Sequence, residues 1–321
     1  YNAGSNGGNI SFKVDRSSIR QGNAVIAIKD VSDAILWSWH VWVTDEDINN
    51  VIEITNHQNV KYNFMPVNLG QCDGNTITYE ERSCKVKFIA GDQSKEITIK
   101  QLANVIATGS NAPFYQWGRK DPLYPSNGMG NTTKIWYDKE GIPSTANPMK
   151  GTFSAGNDCI KNCILNPNLM HNRYNGDYTY YNLWSADNKT TSANDNPVNK
   201  TIYDPCSVGF KLPASNAFTG FTTTGESVSS STQVNGTWSS SEKGWYFYTN
   251  SEKTQSIFFP ALGYRSYSTM RPGSIGTQGC FWSAHPVAKG NNYYLRTSSV
   301  DVQPTYMVDR GFGYALRPCQ D

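Results

Sequence analysis

Hydrophobic residues alternate with period two over Ile35–Val43 (ILWSWHVWV). Ile35, Trp37, Trp39, Val41 and Val43 fall on one face, and Leu36, Ser38, His40 and Trp42 on the other. Such alternation predicts a strand. The first face is expected to be fully buried and the second partly wet, which makes this a central strand of an aromatic-rich β core. Just before it, Asn23–Lys29 (NAVIAIK) is apolar on both faces and reads as a buried strand. Asp30-Val31-Ser32-Asp33 turns the chain between them. Lys85–Ala90 and Glu96–Ile99 alternate around Gly91-Asp92-Gln93-Ser94, a hairpin signal. Further strands are predicted at Thr237–Ser240, Gly244–Tyr248, Ser256–Phe259, Gly279–Ala284, Tyr293–Leu295 and Tyr314–Pro318.

Helical periodicity is scarce. Asp158–Leu165 reads as a short helix, with Asp158 as its cap, Ile160, Cys163 and Ile164 as its apolar stripe and Asn166-Pro167 as its stop. A second short helix is predicted at Ser215–Phe221. Between Gly109 and Asp204 the pattern weakens into long loops rich in Gly, Asn, Pro and Tyr. Long loops in compact proteins need anchoring or a function. The aromatics along this stretch, among them Phe114, Tyr115, Trp117, Trp136 and Trp184, predict anchoring in the core. Residues 1–22 read as a flexible lead-in. Residues 23–321 read as a single domain into which the hairpin 84–101 is inserted.

Composition narrows the class. The 321 residues hold 28 basic and 26 acidic side chains, a net charge of +2. That balance carries no electrostatic footprint for nucleic acid. Only 17% of residues are charged, while Gly, Ser, Thr, Asn, Tyr and Trp abound, as in secreted β proteins. No run of 18 apolar residues occurs, so no membrane-spanning segment is expected. The first residue is Tyr1 rather than Met, which reads as a processed end or a fragment boundary. Seven cysteines are too few for a disulfide scaffold, and their odd number leaves at least one without an internal partner. Cys72 and Cys84 are placed to bridge a loop, and Cys159 and Cys163 to lie on one helical turn.

Four motifs follow in order. The first is Asn63-Phe-Met-Pro-Val-Asn-Leu-Gly70, and the second Phe114-Tyr-Gln-Trp-Gly-Arg-Lys-Asp-Pro122. The third is Tyr203-Asp-Pro-Cys-Ser-Val-Gly-Phe-Lys-Leu-Pro213. The closing set is Gly236-Thr-Trp-Ser-Ser240, Gly279-Cys-Phe-Trp-Ser283 and Gly313-Tyr-Ala-Leu-Arg-Pro-Cys319. Read as residues, Pro205 and Pro213 bracket a buried segment Val208–Phe210. Trp37, Trp39, Trp117, Trp238 and Trp282 supply core indoles. Arg119, Lys120 and Asp121 are expected in a buried ion network, and Arg317 as a partner for such a carboxylate.

With Ala24–Val43, these motifs resemble the Fibrobacter-type major paralogous domain, over about residues 20–321. That family occurs at the C-terminal end of surface and fimbrial-tip proteins of Bacteroidales. The resemblance implies an α+β, C-type-lectin-like fold, β-rich with few short helices, related to that of formylglycine-generating enzymes and of retroelement-diversified proteins. It also implies an extracellular, outer-membrane-associated location and a role in adhesion. Two departures stand out. Pro66 stands where the family often has an Asp-Arg pair, and the hairpin Cys84–Gln101 is an insertion.

Catalytic chemistry is mostly missing from the chain. A formylglycine-generating activity requires a redox-active cysteine pair, and Cys280 and Cys319 are the nearest candidates, with nothing nearby to lower a thiol pKa. The C-type lectin calcium tripeptides are missing. Asp45, Glu46 and Asp47 form an acidic cluster, but calcium requires six to eight oxygens, and a solvated strand end accounts for them better. Cys159, Cys163 and His171 have C-x3-C-x7-H spacing, which is not a standard zinc pattern and shows no fourth ligand. No metal and no cofactor is therefore expected, and four histidines are few for acid–base work. The segment Tyr264–Gly273 (YRSYSTMRPG) combines rigid aromatics with adaptable polar groups, the chemistry of a recognition loop. It reads either as a plain connection or as a ligand-binding loop through Tyr264, Arg265, Tyr267 and Arg271, with Trp245 and Tyr246 as an added sugar-stacking face. The reading of the whole is a non-enzymatic adhesion module whose partners are a host or bacterial surface glycan or protein, and possibly other fimbrial subunits. A hypervariable receptor-binding protein of phage or retroelement type is the alternative, and an enzyme of the formylglycine-generating type comes third.

Overall fold

The computed structural model describes residues 2–4, 7–9, 13–19, 21–72, 77–106, 112–125, 136–137, 142–144, 149–152, 156–171, 180–187, 190–287 and 290–321. Short antiparallel sheets dominate these residues, and the chain is β-rich as expected. The lead-in is partly outside the described residues; within it, Asn2–Gly4 pairs with Gly7–Asn9.

The sheets are arranged around the closing third of the chain. Gly236–Ser239, Gly244–Tyr248 and Ser256–Pro260 form one three-stranded antiparallel sheet. Gly279–Pro286, Asn291–Thr297 and Val302–Asp309 form a second. The first five of these strands lie where the sequence pattern places them. Val302–Asp309 is an addition, and it carries Pro304, a residue disfavoured inside strands. The structure accommodates this proline on an edge strand, where the register shifts between Tyr294 and Arg296 of the neighbouring strand.

The four motifs converge on this framework. Tyr115–Gln116 pairs with Gly313–Tyr314, so the second motif meets the last. Phe210–Lys211 pairs with Cys319–Gln320, which also bridges to Phe64, tying the third and first motifs to the chain end. The predicted strand Tyr314–Pro318 is therefore two short strands, Gly313–Tyr314 and Cys319–Gln320. Arg317, buried between them, donates to Asn68 Oδ1 at 2.7 Å, to the carbonyls of Met65, Pro66 and Phe258 at 3.2, 2.8 and 2.7 Å, and lies 4.3 Å from the Phe259 ring centroid. It meets carbonyls and an amide, not the expected carboxylate. Burial pushes its guanidinium down to about 9. In the third motif, the Asp204 carboxylate accepts the Cys206 and Leu212 amides at 2.8 and 3.0 Å. Val208, expected inside, is 99% exposed, and the chain then passes through Gly209 (φ 83°) to bring Phe210 into the core.

Two apolar clusters share the interior. One gathers Phe64, Phe218, Phe221, Phe247, Phe259 and Phe281, with Phe221 and Phe247 stacked at 3.9 Å between centroids. The other gathers Trp117, Trp184, Trp282, Tyr115, Tyr294 and Tyr314. Phe114, Tyr115, Trp117 and Trp184 anchor their loops in the core with no exposed surface, as predicted; the Trp136 side chain is outside the described residues. Ser215–Phe221 is helical at the predicted place, though wound as a 3₁₀ helix.

The Ile35–Val43 strand corrects two expectations. It pairs only with Gly22–Lys29 in a two-stranded sheet, so it is not central. Its deepest residue also lies on the face expected to be partly wet, while Leu36 of that face is exposed and Ile35, Trp37, Val41 and Val43 opposite are half-buried rather than fully buried. Ser38 is buried, His40 and Trp42 are half-buried, and Trp39 is 42% exposed. The polar face turns inward because it has partners there. Trp42 Nε1 donates to the Gln71 carbonyl at 3.0 Å, His40 Nδ1 lies 2.9 Å from Tyr115 Oη, and Ser38 Oγ donates to Asp121 at 2.8 Å. Satisfying three polar groups at once decides the register where both faces carry apolar residues. The paired strand, expected to be buried, has no buried residue, and Val25 is exposed.

The insertion folds as predicted. Arg82–Ala90 and Gln93–Gln101 pair in full register around a two-residue turn at Gly91 (φ 59°) and Asp92. Cys84 is a free thiol, so the Cys72–Cys84 bridge does not form.

Candidate functional site

The Tyr264–Gly273 segment is a hairpin loop whose base pairs Tyr264 with Gly273 and Arg265 with Pro272. Gly263 (φ 74°) lets the chain pass against the Gly273 carbonyl, where any Cβ would collide. Arg265 is buried. It donates to the Tyr124 carbonyl from Nε and Nη2 at 3.0 and 2.7 Å, to Pro125 at 3.0 Å and to Met270 at 2.6 Å. Burial pushes its guanidinium down to about 10. It is therefore a tether for the loop and not a ligand contact, which corrects the sequence expectation.

The other predicted residues divide. Tyr264 is half-buried edge-on to Phe312, with ring centroids 5.5 Å apart, and Tyr267 packs edge-on to the same ring at 4.9 Å. Ser268, Thr269 and Arg271 are exposed. Inside the loop, the Ser266 amide donates to the Arg271 carbonyl and the Met270 amide to the Ser266 carbonyl, both at 2.9 Å, with Met270 at φ 58°. Trp245 is a core residue whose Nε1 donates to the Ser298 carbonyl at 2.7 Å, so it offers no stacking face. Tyr246 is half-exposed. Its ring lies 4.7 Å from Phe258, and its hydroxyl donates to the Glu242 carboxylate at 2.8 Å. Of the core tryptophans, Trp117 and Trp282 are fully buried; Trp37 and Trp238 are partly so, and Trp39 is not in the core.

A second group gathers around the Trp-Gly-Arg-Lys-Asp motif. Gly118 (φ 80°) packs so closely on Leu183 that a Cβ has no room. Lys120 and Asp121 form the predicted buried ion pair at 2.6 Å. Lys120 Nζ also donates to Ser38 Oγ and O at 2.5 and 2.9 Å and lies 4.5 Å from the Trp37 ring centroid. Burial lowers the lysine's proton affinity, and Asp121 opposes that shift. Arg119 stands apart from the pair. Its Nη1 donates to Gln116 Oε1 at 3.3 Å and to the Leu169 carbonyl at 2.5 Å, and its Nη2 to Pro167. A cleft lined by Lys120, Asp121, Ile160, Cys163, Leu183 and Tyr203 adjoins the pair.

Beside this cleft runs the helix Gly156–Leu165. It begins two residues before Asp158, which sits in the first turn instead of capping it and there suits the helix dipole. Cys159 and Cys163, one turn apart, face inward. The chain turns back at Asn166-Pro167 into the strand Leu169–His171. The donor atoms of Cys159, Cys163 and His171 come within 4.8 Å of one another, all buried. The Cys163 thiol is held well below the ordinary thiol range, first by its hydrogen bond with Cys159; burial opposes this, and Arg119 and His171 add to it. The sequence already contained the i, i+4 cysteine pair and the Asn-Pro turn. It did not show that the turn brings His171 back onto the same helical face.

Cys280 and Cys319 are buried, and burial pushes each thiol up to about 12, the opposite of an activated nucleophile. Asp45, Glu46 and Asp47 are exposed, and Asp45 accepts from Gln21 at 2.6 Å. No helix among the described residues is long and apolar enough to cross a membrane. No protein-family model, curated protein or solved structure matches this chain.

Proposed function

We propose that this chain is a non-enzymatic binding module of C-type-lectin-like fold, the adhesive domain of a fimbrial-tip or related cell-surface protein. The observation that carries this reading is the Tyr264–Gly273 loop. Buried Arg265 tethers it through hydrogen bonds to the Tyr124, Pro125 and Met270 carbonyls, while Ser268, Thr269 and Arg271 face solvent beside half-exposed Tyr267. A rigid loop that displays adaptable polar groups next to an aromatic binds at low entropic cost. The convergence of four motifs on one closing framework supports the fold reading. The ligand is a glycan or protein of a host or bacterial surface, held without covalent chemistry. The high proton affinity of the two core thiols speaks against the formylglycine-generating alternative. The hypervariable receptor-binding alternative uses the same loop and is told apart by a near-identical template repeat in the encoding DNA.

The test is a glycan and extracellular-protein array, probed with and without EDTA by the wild type and by a Tyr267→Ala, Arg271→Ala double variant. Binding that survives EDTA and falls at least about tenfold in the double variant, worth about 1.4 kcal/mol, is expected. Unchanged binding by the variant removes the loop from the reading.

A further inference from the structure

We propose that Cys159, Cys163 and His171 form a three-donor site for a thiophilic d10 metal ion, Zn(II) or Cu(I), that fastens the Gly156–Leu165 helix to the Leu169–His171 strand. The inference stands on donor geometry and is independent of the binding reading.

The two sulfurs lie one helical turn apart on one face, the spacing at which helical side chains meet. His171 is delivered by the strand that follows the Asn166-Pro167 turn. Its backbone is clamped by Gln116, whose Nε2 donates to the His171 carbonyl at 2.6 Å while its Oε1 accepts the His171 amide at 3.1 Å. The His171 side chain has no exposed surface, and neither ring nitrogen has a hydrogen-bond partner of ordinary geometry among the described residues; the ring interacts with the Cys163 thiol, another donor of the same cluster. A buried polar group left this way costs about 1–3 kcal/mol and calls for an explanation. A metal ion accepting the lone pair of one ring nitrogen supplies it.

The distances fit such an ion. The three donor atoms already lie within 4.8 Å of one another. Metal–sulfur and metal–nitrogen bonds of about 2.3 and 2.0 Å require donor separations of roughly 3.5–4 Å, reached by small side-chain adjustments. The donor set selects the ion. Two thiolates and an imidazole suit Zn(II) and Cu(I), whereas Ca(II) and Mg(II) require oxygen. Among the described residues no fourth His, Cys, Asp or Glu joins the cluster. Zn(II) requires a fourth ligand beyond these three, whereas Cu(I) is satisfied by three.

The test uses the full chain, purified reduced, loaded with Zn(II) or anaerobically with Cu(I), desalted and analysed for bound metal and thermal midpoint. One equivalent of one metal and a raised midpoint are expected, and whichever metal is retained identifies the ion. Cys163→Ser and His171→Ala should lose that equivalent, while Cys84→Ser, on the inserted hairpin, should keep it. Because the first two variants alter a buried site and can unfold, Co(II) is also titrated into the wild type, where a thiolate-to-cobalt charge-transfer band is expected. No retained metal and no cobalt band in the reduced wild type overturns the proposal. So does undiminished retention in a folded Cys163→Ser variant.

Discussion

The Ile35–Val43 strand carries three tryptophans, yet Ser38 is its one fully buried residue, whereas all eight residues of Gly279–Pro286, with a Gly, a Ser and a His among them, are buried. The difference is in what covers each strand. Gly279–Pro286 has Asn291–Thr297 along one edge and a parallel bridge from Phe281 to Ala315 on the other. Phe281 points into the phenylalanine cluster, and Cys280, Trp282 and Ala284 into the tryptophan and tyrosine cluster. Ile35–Val43 has one paired neighbour and is half-buried along most of its length. Burial follows the number of covered sides, so a mildly apolar strand between two clusters is deeper than a strongly apolar one at the edge. Polar side chains of the inner strand find partners there: Ser283 Oγ donates to the Tyr293 carbonyl at 3.0 Å, and His285 Nδ1 accepts the Ser215 amide at 3.3 Å, although His285 Nε2 has no hydrogen-bond partner of ordinary geometry among the described residues.

This contrast can be broken by substitution. The largest effect is expected at Trp282, whose Nε1 donates to the Tyr115 carbonyl at 2.7 Å. Trp282→Ala should destabilise by about 3–5 kcal/mol in urea unfolding, and a loss below about 1 kcal/mol would end the distinction between the strands. Next comes the polar link holding the outer strand to the core. Asp121→Asn leaves Lys120 buried beside a weaker partner and should cost about 3 kcal/mol. Replacing Lys120 and Asp121 together with apolar residues of similar volume should cost less than Asp121→Asn alone; a larger loss would show that the pair itself stabilises the fold.

A smaller effect is expected from acid. Burial holds His40, on the outer strand, and His285, on the inner one, down to about 4. Both rings are neutral in the fold, while in the unfolded chain they take up protons from about pH 6.5 downward. Their contribution to stability is therefore complete above about pH 6.5 and is lost as pH falls toward 4. Thermal midpoints measured from pH 7 to pH 5 should decline, and His40→Gln should flatten part of that decline. A wild-type midpoint that stays level over this range would contradict the assignment. The smallest effect is expected at the exposed indole: Trp39→Ala should change stability by less than about 1 kcal/mol. Matching losses at Trp39 and Trp282 would mean that the outer face is covered in solution.

Local pattern made some of this molecule legible. The hairpin at Gly91-Asp92 declared itself through turn chemistry and alternation, which depend on neighbouring residues alone. The closing strands, the short helices and the buried Lys120–Asp121 pair were visible for similar reasons. The loop Tyr264–Gly273 was found by composition, but its contents were misread. Arg265 looked like a ligand contact and is a tether, and Trp245 looked like a stacking face and is core. Arginine and tryptophan combine a large apolar surface with a polar end, so sequence cannot tell a buried role from an exposed one.

The sequence by itself determined that the chain would be β-rich and placed the inserted hairpin, most closing strands and both short helices, because these follow from periodicity and from the backbone preferences of Gly, Pro and Asn. Tertiary structure alone decided which face of Ile35–Val43 turns inward. Both faces carry apolar residues, and Ser38, His40 and Trp42 turn inward on hydrogen bonds with Asp121, Tyr115 and Gln71, which lie 29 to 83 residues away and leave no local cue. It also decided that His171 meets Cys159 and Cys163. A turn can be read from Asn-Pro, but the direction in which it returns the chain depends on what the returning strand pairs with, and here that partner is Lys150–Thr152.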